Sequence, residues 1–461
     1  MKYIQLSVLA FSFLLSCSCG SSDNFNDEDS SNEEDDSTEI VNDLTDDELL
    51  DLTQKETFNY FWDYAEANSG AARERYLISD STQDENLVTT GGSGMGLMVI
   101  IAGIENQFIT PDEGFERILQ VVSFFETADR FHGAWPHWLD GRNGEVIPFS
   151  DTDNGGDLVE TSYLAQALIV VYEYYKNGTT EQKALATKAY ELWSGIEWNW
   201  YTQDENVLYW HWSPDYNFDI GLKIQGYNEC LITYVLAASS PTYPISKDVY
   251  TNGWATSGGI VSSNTQYGYP LIVKHVTYEE YGGPLFWSHY SFLGLNPNGL
   301  ADEYVNYGDA VINHAEINYS YCVENPLGYR DYGINCWGLT ASYSRDVDGT
   351  LTYSAHCPEN DLGVIAPTAA ISSMPYIPEQ SLTALRYFYY LKDKLLGPAG
   401  FYDSFSPQYN YWVAEAYLAI DQGPIVVMIE NYRTQLFWDL FMQNEDIQNG
   451  LTNFGFSFLE N

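Results

Sequence analysis

Hydrophobic residues recur at helical spacing along most of the chain, in two kinds of segment. In the first kind, charged residues separate the apolar positions, as in a helix that places one face on a core. Such segments predict helices on the outside of the protein. They span residues 49–66, 112–129, 181–197, 300–318 and 381–396.

The second kind of segment is apolar on nearly every side and rich in small residues. A helix of this kind has no polar face for solvent, so it belongs in the interior. The two sets together predict an all-α fold, an (α/α)6 toroid whose inner ring of helices lies inside an outer ring. Strand-like alternation is confined to short pieces such as 207–212. The inner segments span residues 95–104, 160–175, 228–239, 336–344, 366–374 and 424–432.

Each inner segment follows a stretch rich in Gly, Asn or Asp. In a toroid these stretches would meet on one face, at the N-termini of the inner helices, and binding residues are commonly found on such loops. Longer irregular stretches are expected to form the walls of a cleft on that face. They are residues 198–227, 240–299 and 345–363.

The first nineteen residues have the pattern of a lipoprotein signal peptide. A basic Lys2 precedes an apolar run over residues 4–15, which is too short to span a bilayer as a helix. The run ends in Leu-Leu-Ser-Cys, a lipobox that predicts lipidation of Cys17. Cys19 is an alternative, although it would put polar Ser16 where an aliphatic residue is expected. We expect export and a lipid anchor on the outer membrane, and an ordinary secretory peptide is the other interpretation.

Residues 20–48 consist mainly of Ser, Asn, Asp and Glu and contain few apolar side chains. This composition predicts a disordered tether, because too little surface can be buried to offset the entropy of the chain. Acidic runs after a lipidated cysteine resemble the surface-export signals of Bacteroidota lipoproteins, although a plain solvating linker has a similar composition. Residues 49–461 are then predicted to form one domain.

The formal net charge is −46, from 65 acidic and only 19 basic residues. Fourteen of the acidic residues lie between residues 23 and 51, so the predicted domain is itself strongly acidic. An acidic surface argues against nucleic acid, whose binding requires neutralisation of phosphates, and against polyanionic sugars. A neutral ligand is favoured.

Four cysteines follow the signal region, and none has the spacing of a zinc ribbon or a redox motif. Export would permit a disulfide between Cys336 and Cys357. Free thiols buried in a helical core are the alternative, which also covers Cys230 and Cys322.

The densest group of carboxylates in the domain lies at residues 151–160. Its spacing does not match a calcium loop of the EF-hand type, because the fifth and twelfth positions lack the required acidic ligands. Asp157 and Glu160 have the spacing of a capping box, which would account for both without catalysis, but Asp153 is not explained in that way. Crowded carboxylates raise one another's pKa, as acid–base catalysis requires, so all three are candidate catalytic residues.

Two further carboxylates lie at the starts of inner segments. Glu229 precedes a long apolar run, where a charged form is costly to bury, so a raised pKa and a role as general acid are expected. A favourable position against the helix dipole is the alternative. Asp421 lies on another approach stretch, either as a catalytic residue or as a helix N-cap.

Aromatic residues make up 16% of the chain, and many Trp and Tyr residues lie in the predicted loops. Flat rings cover the apolar faces of sugar units, while nearby polar groups bind the hydroxyls, so this composition is typical of a sugar site. Packing in a large helical core accounts for part of the set. The candidate substrate contacts are Trp135, His137, Trp212, Tyr227, Tyr281 and Trp287.

Several motifs, in this order, resemble those of the glucoamylase-like domain, and within it those of glycoside hydrolase family 144. The resemblance covers about residues 50–445, and the set is specific although each motif alone is weak. The motifs include GGSGMGLMVI, HGAWPHWLDGRNGE, DNGGDLVETSYLAQALI, GYNECLITYVLAASSPTYPI and AIDQGPIVVMIENYR.

The resemblance implies an (α/α)6 toroid that hydrolyses β-1,2-glucan with inversion, either endo or with release of sophorose. Glu229 then matches the family's candidate general acid, and Asp153, Asp157 and Glu160 match its acidic cluster. The base stays open between Asp153, Asp157 and Asp421. No metal or organic cofactor is implied. We expect a monomer that binds a neutral oligo- or polysaccharide and no nucleic acid. The alternatives are the same fold acting on another glucan, and a non-catalytic glycan-binding lipoprotein.

Overall fold

A computed structural model describes residues 43–459, so the predicted signal peptide, Cys17 and most of the predicted tether lie outside the described residues. The described part is mostly helical, in agreement with the predicted segments except the one at 336–344. Its helices are α1 (Asp46–Trp62), α2 (Thr90–Glu105), α3 (Pro111–Thr127), α4 (Leu158–Tyr175), α5 (Thr180–Ser194), α6 (Leu231–Ser239), α7 (Lys247–Val249), α8 (Tyr307–Glu324), α9 (Pro367–Ile371), α10 (Pro378–Tyr390), α11 (Lys392–Leu395), α12 (Ala419–Thr434), α13 (Leu436–Met442) and α14 (Glu445–Phe454).

Within residues 43–459, short strands between the helices form eight sheets of two or three strands each. The predicted strand piece at 207–212 is present as β6 and β7. The strands are β1 (Arg75–Leu77), β2 (Leu87–Thr89), β3 (Trp138–Asp140), β4 (Val146–Ile147), β5 (Gly156–Asp157), β6 (Leu208–Tyr209), β7 (His211–Trp212), β8 (Lys223–Ile224), β9 (Thr265–Gln266), β10 (Tyr269–Pro270), β11 (Ala341–Arg345), β12 (Leu351–Ala355), β13 (Leu396–Gly397), β14 (Gly400–Phe401), β15 (Ser404–Ser406), β16 (Trp412–Ala414) and β17 (Ala416–Leu418).

The segments predicted to be interior form buried helices that pack against one another. Helix α2 lies between α4 and α12, while α6 contacts α4 and α9 contacts α12. Small residues permit the close approach, since a Cβ atom on Gly94 of α2 would lie 2.6 Å from the backbone of Leu164 in α4. The all-round apolar character of these segments is therefore explained by their contacts with other helices.

The segments predicted to be exterior form helices on the outside of this buried set. Helix α1 covers α2 and α12, α5 covers α4, and α10 covers α9. Thr45, Thr110 and Thr179 each begin a helix with a complete capping box, which fixes the starts of α1, α3 and α5. Helix α1 begins at Asp46, so the last three residues of the predicted tether are its first turn.

The prediction of an inner helix at residues 336–344 is wrong. Strands β11 and β12 form a hairpin over this region, closed by a turn in which Gly349 has φ +92° and Asp346 N–H donates to Thr350 O at 2.9 Å. A glycine at this position favours the turn, and the alternating residues on either side suit strands better than a helix.

Two single turns of helix, Leu285–Ser288 and Tyr290–Phe292, lie between α6 and α9 instead. The hydroxyl of Ser291 accepts a hydrogen bond from the backbone N–H of Ile232 at the start of α6. The ring of His289 is hydrogen-bonded to Ser373, just after α9, at 3.0 Å. The interior is thus continuous across this part of the molecule.

The core contains many of the aromatic residues, including five tryptophans without exposed surface. Cys230, Cys322, Cys336 and Cys357 are free and buried, so of the two cysteine alternatives the structure has free thiols. No helix in residues 43–459 is long and apolar enough to cross a membrane.

Candidate active site

Carboxylates from several predicted approach stretches meet where the starts of buried helices come together. Glu160 in the first turn of α4 reaches the first turn of α2, and Tyr290 donates to Asp421 in the first turn of α12. The hydroxyl of Ser291 donates to the backbone carbonyl of Glu229, just before α6. Residues that are far apart in the sequence are therefore assembled by the helix starts.

Asp157 is the N-cap of α4. One of its oxygens accepts the backbone N–H groups of Val159 and Glu160, both at 2.9 Å, and the other lies 3.0 Å from Nδ1 of His137. Asp157 is almost completely buried, with 1% of its surface exposed. A carboxylate with three such partners is held firmly, and its charge acts on its neighbours.

Glu160 does not complete the predicted capping box, because its side chain turns away from Asp157. Its Oε2 atom accepts the backbone N–H of Gly91 at 2.7 Å and the hydroxyl of Thr89 at 3.3 Å. Burial raises the pKa of Glu160 to about 7. The positive charge of His137 opposes this rise, and the negative charge of Asp157 adds to it.

The close contact between Glu160 and α2 requires a glycine at position 91. A Cβ atom there would lie 2.7 Å from Oε2 of Glu160 and 2.8 Å from the ring of Tyr163. In the Gly-rich stretch before the first inner segment, Gly91 therefore leaves room for the carboxylate of Glu160 against the backbone of α2.

Glu229 is partly exposed, and the pKa of its carboxyl is raised to about 7. Burial is the main cause, a hydrogen bond with its own backbone opposes it, and the negative charges of Asp157 and Glu160 add to it. The sequence-based prediction of a raised pKa is confirmed. A carboxyl of this kind is protonated up to neutral pH and still reachable, as a general acid must be.

Asp421 forms a buried pair with Asp403, a residue that the sequence analysis missed. Both are 1% exposed. Burial and the neighbouring Asp403 raise the pKa of Asp421 well above its ordinary value, while burial raises the pKa of Asp403 to about 6. Asp421 is not the N-cap of α12, since Leu418 occupies that position.

The arrangement of partners indicates that the two carboxyls share a proton. Tyr343 N–H donates to one oxygen of Asp403 at 2.6 Å, and Tyr290 Oη–H donates to one oxygen of Asp421 at 3.4 Å. The remaining oxygens, Oδ1 of Asp403 and Oδ2 of Asp421, are buried and accept no hydrogen bond from any residue of 43–459 outside the pair. A proton held between them would satisfy both, and the pair would then carry one negative charge near neutral pH.

Buried tyrosines link the two groups of carboxylates. The rings of Tyr163 and Tyr290 lie edge to face with their centroids 5.5 Å apart. Glu229 and Glu160 raise the pKa of both hydroxyls, after the larger effect of burial, and Asp421 acts on Tyr290 as well. Tyr290 thus lies between the cluster at α4 and the pair at α12, and it was missed from the sequence because aromatic residues are so numerous.

Glu74 is another acidic residue of the site that the sequence did not reveal. It is 8% exposed, and its charge contributes to the raised pKa values of Glu160 and Asp421. Its backbone carbonyl accepts the N–H of Ala419 at the start of α12. Nothing in the sequence around Glu74 marks it out, because it stands between two arginines like an ordinary surface residue.

Asp153 lies on the same loop as Asp157, at the side of the cluster. Its Oδ1 atom is 3.1 Å from Nε2 of His211, and its side chain is 15% exposed. Strand β7, which carries His211, pairs with β5, which carries Asp157. The two short strands therefore fix Asp153 relative to the start of α4.

His137, predicted to bind a sugar hydroxyl, is held by Asp157 and stacks near Phe149 with ring centroids 4.2 Å apart. Burial opposes protonation, but the charges of Glu160 and Asp157 prevail and raise the pKa of His137 to about 10. Its side chain is 22% exposed. It is therefore a charged hydrogen-bond donor at the edge of the acidic cluster.

The predicted aromatic contacts divide into buried and accessible residues. Trp135 and Tyr227 are 0% and 1% exposed, so we correct the prediction that they touch a substrate. The indole of Trp135 donates to Phe125 O at 2.9 Å, behind the loop that carries His137. Trp287, 8% exposed, stacks on His275 and mainly supports the core.

Trp212 and Tyr281 are the partly exposed members of the predicted set. The ring of Trp212 lies edge-on to that of His132, on the strand that pairs with β5. Tyr281 lies elsewhere, beside Tyr267 and Tyr321. Sequence alone could not separate the two locations.

Within residues 43–459 no group of three or more His, Cys, Asp or Glu side chains is arranged to hold a metal ion. The chemical capacity of the site lies in its carboxyl groups. It combines a partly exposed carboxyl that is protonated near neutral pH with a second acidic pair and a fixed anionic charge. Such a set is typical of enzymes that hydrolyse by acid–base catalysis with two carboxyl groups.

Comparison with known proteins agrees with this class. Residues 221–445 match the family model described as "Putative glucoamylase". The chain is 52% identical to a solved endo-β-1,2-glucanase from Chitinophaga pinensis, covering 90% of this chain and 99% of that one with a TM-score of 0.87. A solved β-1,2-glucanase from Parabacteroides distasonis is 43% identical, with a TM-score of 0.83 over 89% of this chain and 60% of that one.

A curated relative from the same Parabacteroides species is named exo β-1,2-glucooligosaccharide sophorohydrolase (non-reducing end). It is 43% identical over an alignment of 431 positions that covers 88% of this chain. The chain spans 58% of the length of that relative. The chain belongs to the glucoamylase-like family that contains these β-1,2-glucanases, glycoside hydrolase family 144.

Proposed function

We propose that this protein is a glycoside hydrolase that cleaves β-1,2-glucan with inversion at the anomeric carbon. The observation that carries the proposal is Glu229, a partly exposed carboxyl whose pKa of about 7 is raised by burial and by the fixed charges of Asp157 and Glu160. Relatives named as β-1,2-glucanases supply the linkage. The acidic surroundings suit a neutral substrate.

The helix contacts support an (α/α)6 toroid as the architecture around this site. Six buried elements follow one another along the chain, and the last of them, α12, contacts the first, α2. They are α2, α4, α6, the turns at 285–292, α9 and α12. In a toroid the starts of these inner elements surround a cleft. The carboxylates would then line the floor of that cleft, with loops as its walls.

In the proposed reaction Glu229 is the general acid. Its carboxyl gives a proton to the glycosidic oxygen as the bond to the anomeric carbon breaks, and a water attacks that carbon from the opposite face. Asp157, held by three partners, keeps negative charge near Glu229, and Glu160, held against α2, adds to that charge when it is ionised. That charge disfavours early loss of its proton.

We assign the base to the pair of Asp421 and Asp403, in which the proton already present is shared and the pair as a whole accepts the second proton. The pair carries one negative charge near neutral pH, and it can take the proton of the attacking water to become fully protonated. The contact of Tyr290 with Asp421 orients the carboxyl of Asp421 within this pair. Asp153, with its carboxylate beside His211, is the alternative acceptor.

The product is sophorose or a short sophoro-oligosaccharide, since relatives of both kinds are known by name. We test this with the chain lacking residues 1–42, incubated with linear β-1,2-glucan, other β-glucans and starch. Sophorose alone would indicate exo action, and a ladder of oligomers endo action. Products only from another glucan would replace the substrate, and binding to glucan without any product would contradict the proposed hydrolysis.

We further propose that the enzyme is exported and anchored to the outer membrane by a lipid on Cys17. The lipobox and the acidic stretch after it support this proposal. A tether of this length would hold the domain away from the lipid surface, where polymeric glucan is accessible.

A further inference from the structure

The outer surface of α8 carries a second aromatic site, away from the catalytic carboxylates. A shallow cavity of about 340 Å³, largely open to solvent, lies there, lined by Tyr267, Tyr319, Ser320, Val323 and Glu324. This volume is at the lower end of the range for small-ligand pockets, which suits one or two sugar units better than a long chain. The reaction described above uses none of these residues.

Helical geometry places this cavity on the far side of α8 from the interior. His314 on the inner face is buried, and its ring is hydrogen-bonded to Ser288 at 2.7 Å and to the carbonyl of Gly283 at 2.8 Å. Val323 follows His314 by nine residues, which turns it to the opposite face, while Tyr319 lies at the side of the helix with its ring edge-on to Trp337. Val323 is 41% exposed.

Tyr267 occupies a backbone position that a tyrosine rarely adopts. It and Gly268 form the two-residue loop between β9 and β10, with φ +54° and +88°. A loop of this kind with two positive φ values strongly prefers Asn-Gly, so a bulky aromatic residue at the first position is strained. The strain suggests that the ring is retained for a reason other than the fold.

The ring of Tyr267 is held over the cavity by its neighbours. Its hydroxyl donates to Oε2 of Glu324 at 2.7 Å, and its ring centroid lies 6.2 Å from that of Tyr281. The amide of Asn313 on α8 donates to the carbonyl of Pro270, which fixes the hairpin against the helix. Tyr281, predicted from the sequence to bind substrate, thus belongs to this location.

The chemistry of the cavity is that of a sugar site. Tyrosine rings offer flat apolar faces to a pyranose, while Glu324 and Ser320 offer acceptors and a donor to its hydroxyls. Nearby charges are mainly negative, with Glu279 neutralised by Lys274 at 2.9 Å and Glu280 beside Tyr281. An anionic ligand is therefore disfavoured.

We propose that this cavity is a secondary carbohydrate-binding site that holds a neutral pyranose unit of the glucan outside the catalytic centre. The inference rests on the proposed function for the identity of the glucan. A second attachment point raises the local concentration of a polymer at the enzyme, and a short oligosaccharide gains nothing from it. The site therefore raises the affinity of the enzyme for long glucans and leaves its affinity for short oligosaccharides unchanged.

The test compares Tyr267→Asn and Tyr319→Ala with the parent chain. Asn suits the turn, so Tyr267→Asn removes the ring without removing the hairpin, and its Tm should equal that of the parent. Tyr390→Ala is the matched control, since Tyr390 is 66% exposed on α10. Polymer affinity is measured by retardation in gels that contain β-1,2-glucan, with Glu229→Gln in every chain to prevent cleavage.

We expect each of the two variants to bind the polymer about three- to tenfold more weakly, as for loss of one aromatic contact. The control should be unchanged. In chains that retain Glu229, hydrolysis of sophorotetraose should be the same for Tyr267→Asn, Tyr319→Ala and the parent. Unchanged retardation would overturn the inference, and so would an equal loss of sophorotetraose hydrolysis, which would place the cavity within the catalytic cleft.

Failure of the proposed function gives a different result. In that case the parent chain cleaves no β-1,2-glucan, and the same gels are run with laminarin, a soluble cellulose derivative and starch. Retardation by one of these polymers that Tyr267→Asn weakens would support a sugar site with another glucan as ligand. Equal behaviour of variant and parent in every gel would overturn the site itself.

Discussion

Glu229→Gln is expected to abolish hydrolysis and also to stabilise the fold at alkaline pH. The pKa of Glu229 is raised from 4.5 to about 7, so the folded chain holds its proton more tightly than the unfolded chain. A raised carboxyl pKa stabilises the fold at low pH, relative to alkaline pH, and this contribution is lost as the pH rises through 7. Gln has no proton to lose, so the variant escapes that loss.

The size of the effect follows from the shift in pKa. A rise from 4.5 to about 7 corresponds to about 3 kcal/mol of preference for the protonated form. Because Glu229 is partly exposed, solvent screening reduces the usable value, and we expect a gain of about 1–2 kcal/mol in the free energy of unfolding at pH 8. Most of this gain should be absent at pH 5, where the folded parent keeps its proton.

Thermal unfolding of parent and variant at pH 5 and pH 8, together with assays on β-1,2-glucan, measures both effects. Glu116→Gln is the matched control, because Glu116 is exposed on α3 and the same change there removes no buried group. The same difference in unfolding free energy at both pH values would refute the argument from burial. Near-normal hydrolysis by Glu229→Gln would refute its assignment as the acid.

Three other changes test the remaining assignments. Asp421→Asn should lower kcat by a factor of at least about 100 without a comparable rise in KM, because the base acts mainly in the transition state, and a loss confined to KM would contradict that role. Gly91→Ala should lower the free energy of unfolding by about 2 kcal/mol and impair catalysis, since its Cβ would lie 2.7 Å from Oε2 of Glu160; unchanged unfolding in urea would contradict the close contact. Cys17→Ser should prevent labelling by palmitate and release the protein from membranes, whereas labelling that persists would move the modification to another cysteine.

The sequence predicted most helices because their burial follows from local pattern. Segments 95–104 and 160–175 are apolar on every side, and they lie inside α2 and α4 in contact with other helices. The segment at 336–344 failed because small residues suit a buried helix and a buried strand equally well. Its hairpin depends on a turn that begins after the segment ends.

The candidate site was predicted in part. Glu229 was found because a carboxylate beside an apolar run is conspicuous, and its raised pKa is confirmed. Glu74 was missed because it stands between two arginines, and Asp403 was missed because the stretch around it precedes none of the predicted inner segments directly. Trp135 and Tyr227 were chosen for their chemistry, but exposure depends on what the rest of the chain places around them.

What the sequence determined by itself is most of the long helices, their buried faces and the carboxylates Glu160, Glu229 and Asp421 at the starts of inner segments, since each depends on neighbours within a few turns of the chain. Tertiary structure decided which carboxylates meet. Glu160 reaches the backbone of Gly91 across 69 residues, and Asp403 pairs with Asp421 only because β15 to β17 bring the chain back to the start of α12. The raised pKa values follow from these contacts, because burial and nearby charge are properties of the assembled fold and of no single segment.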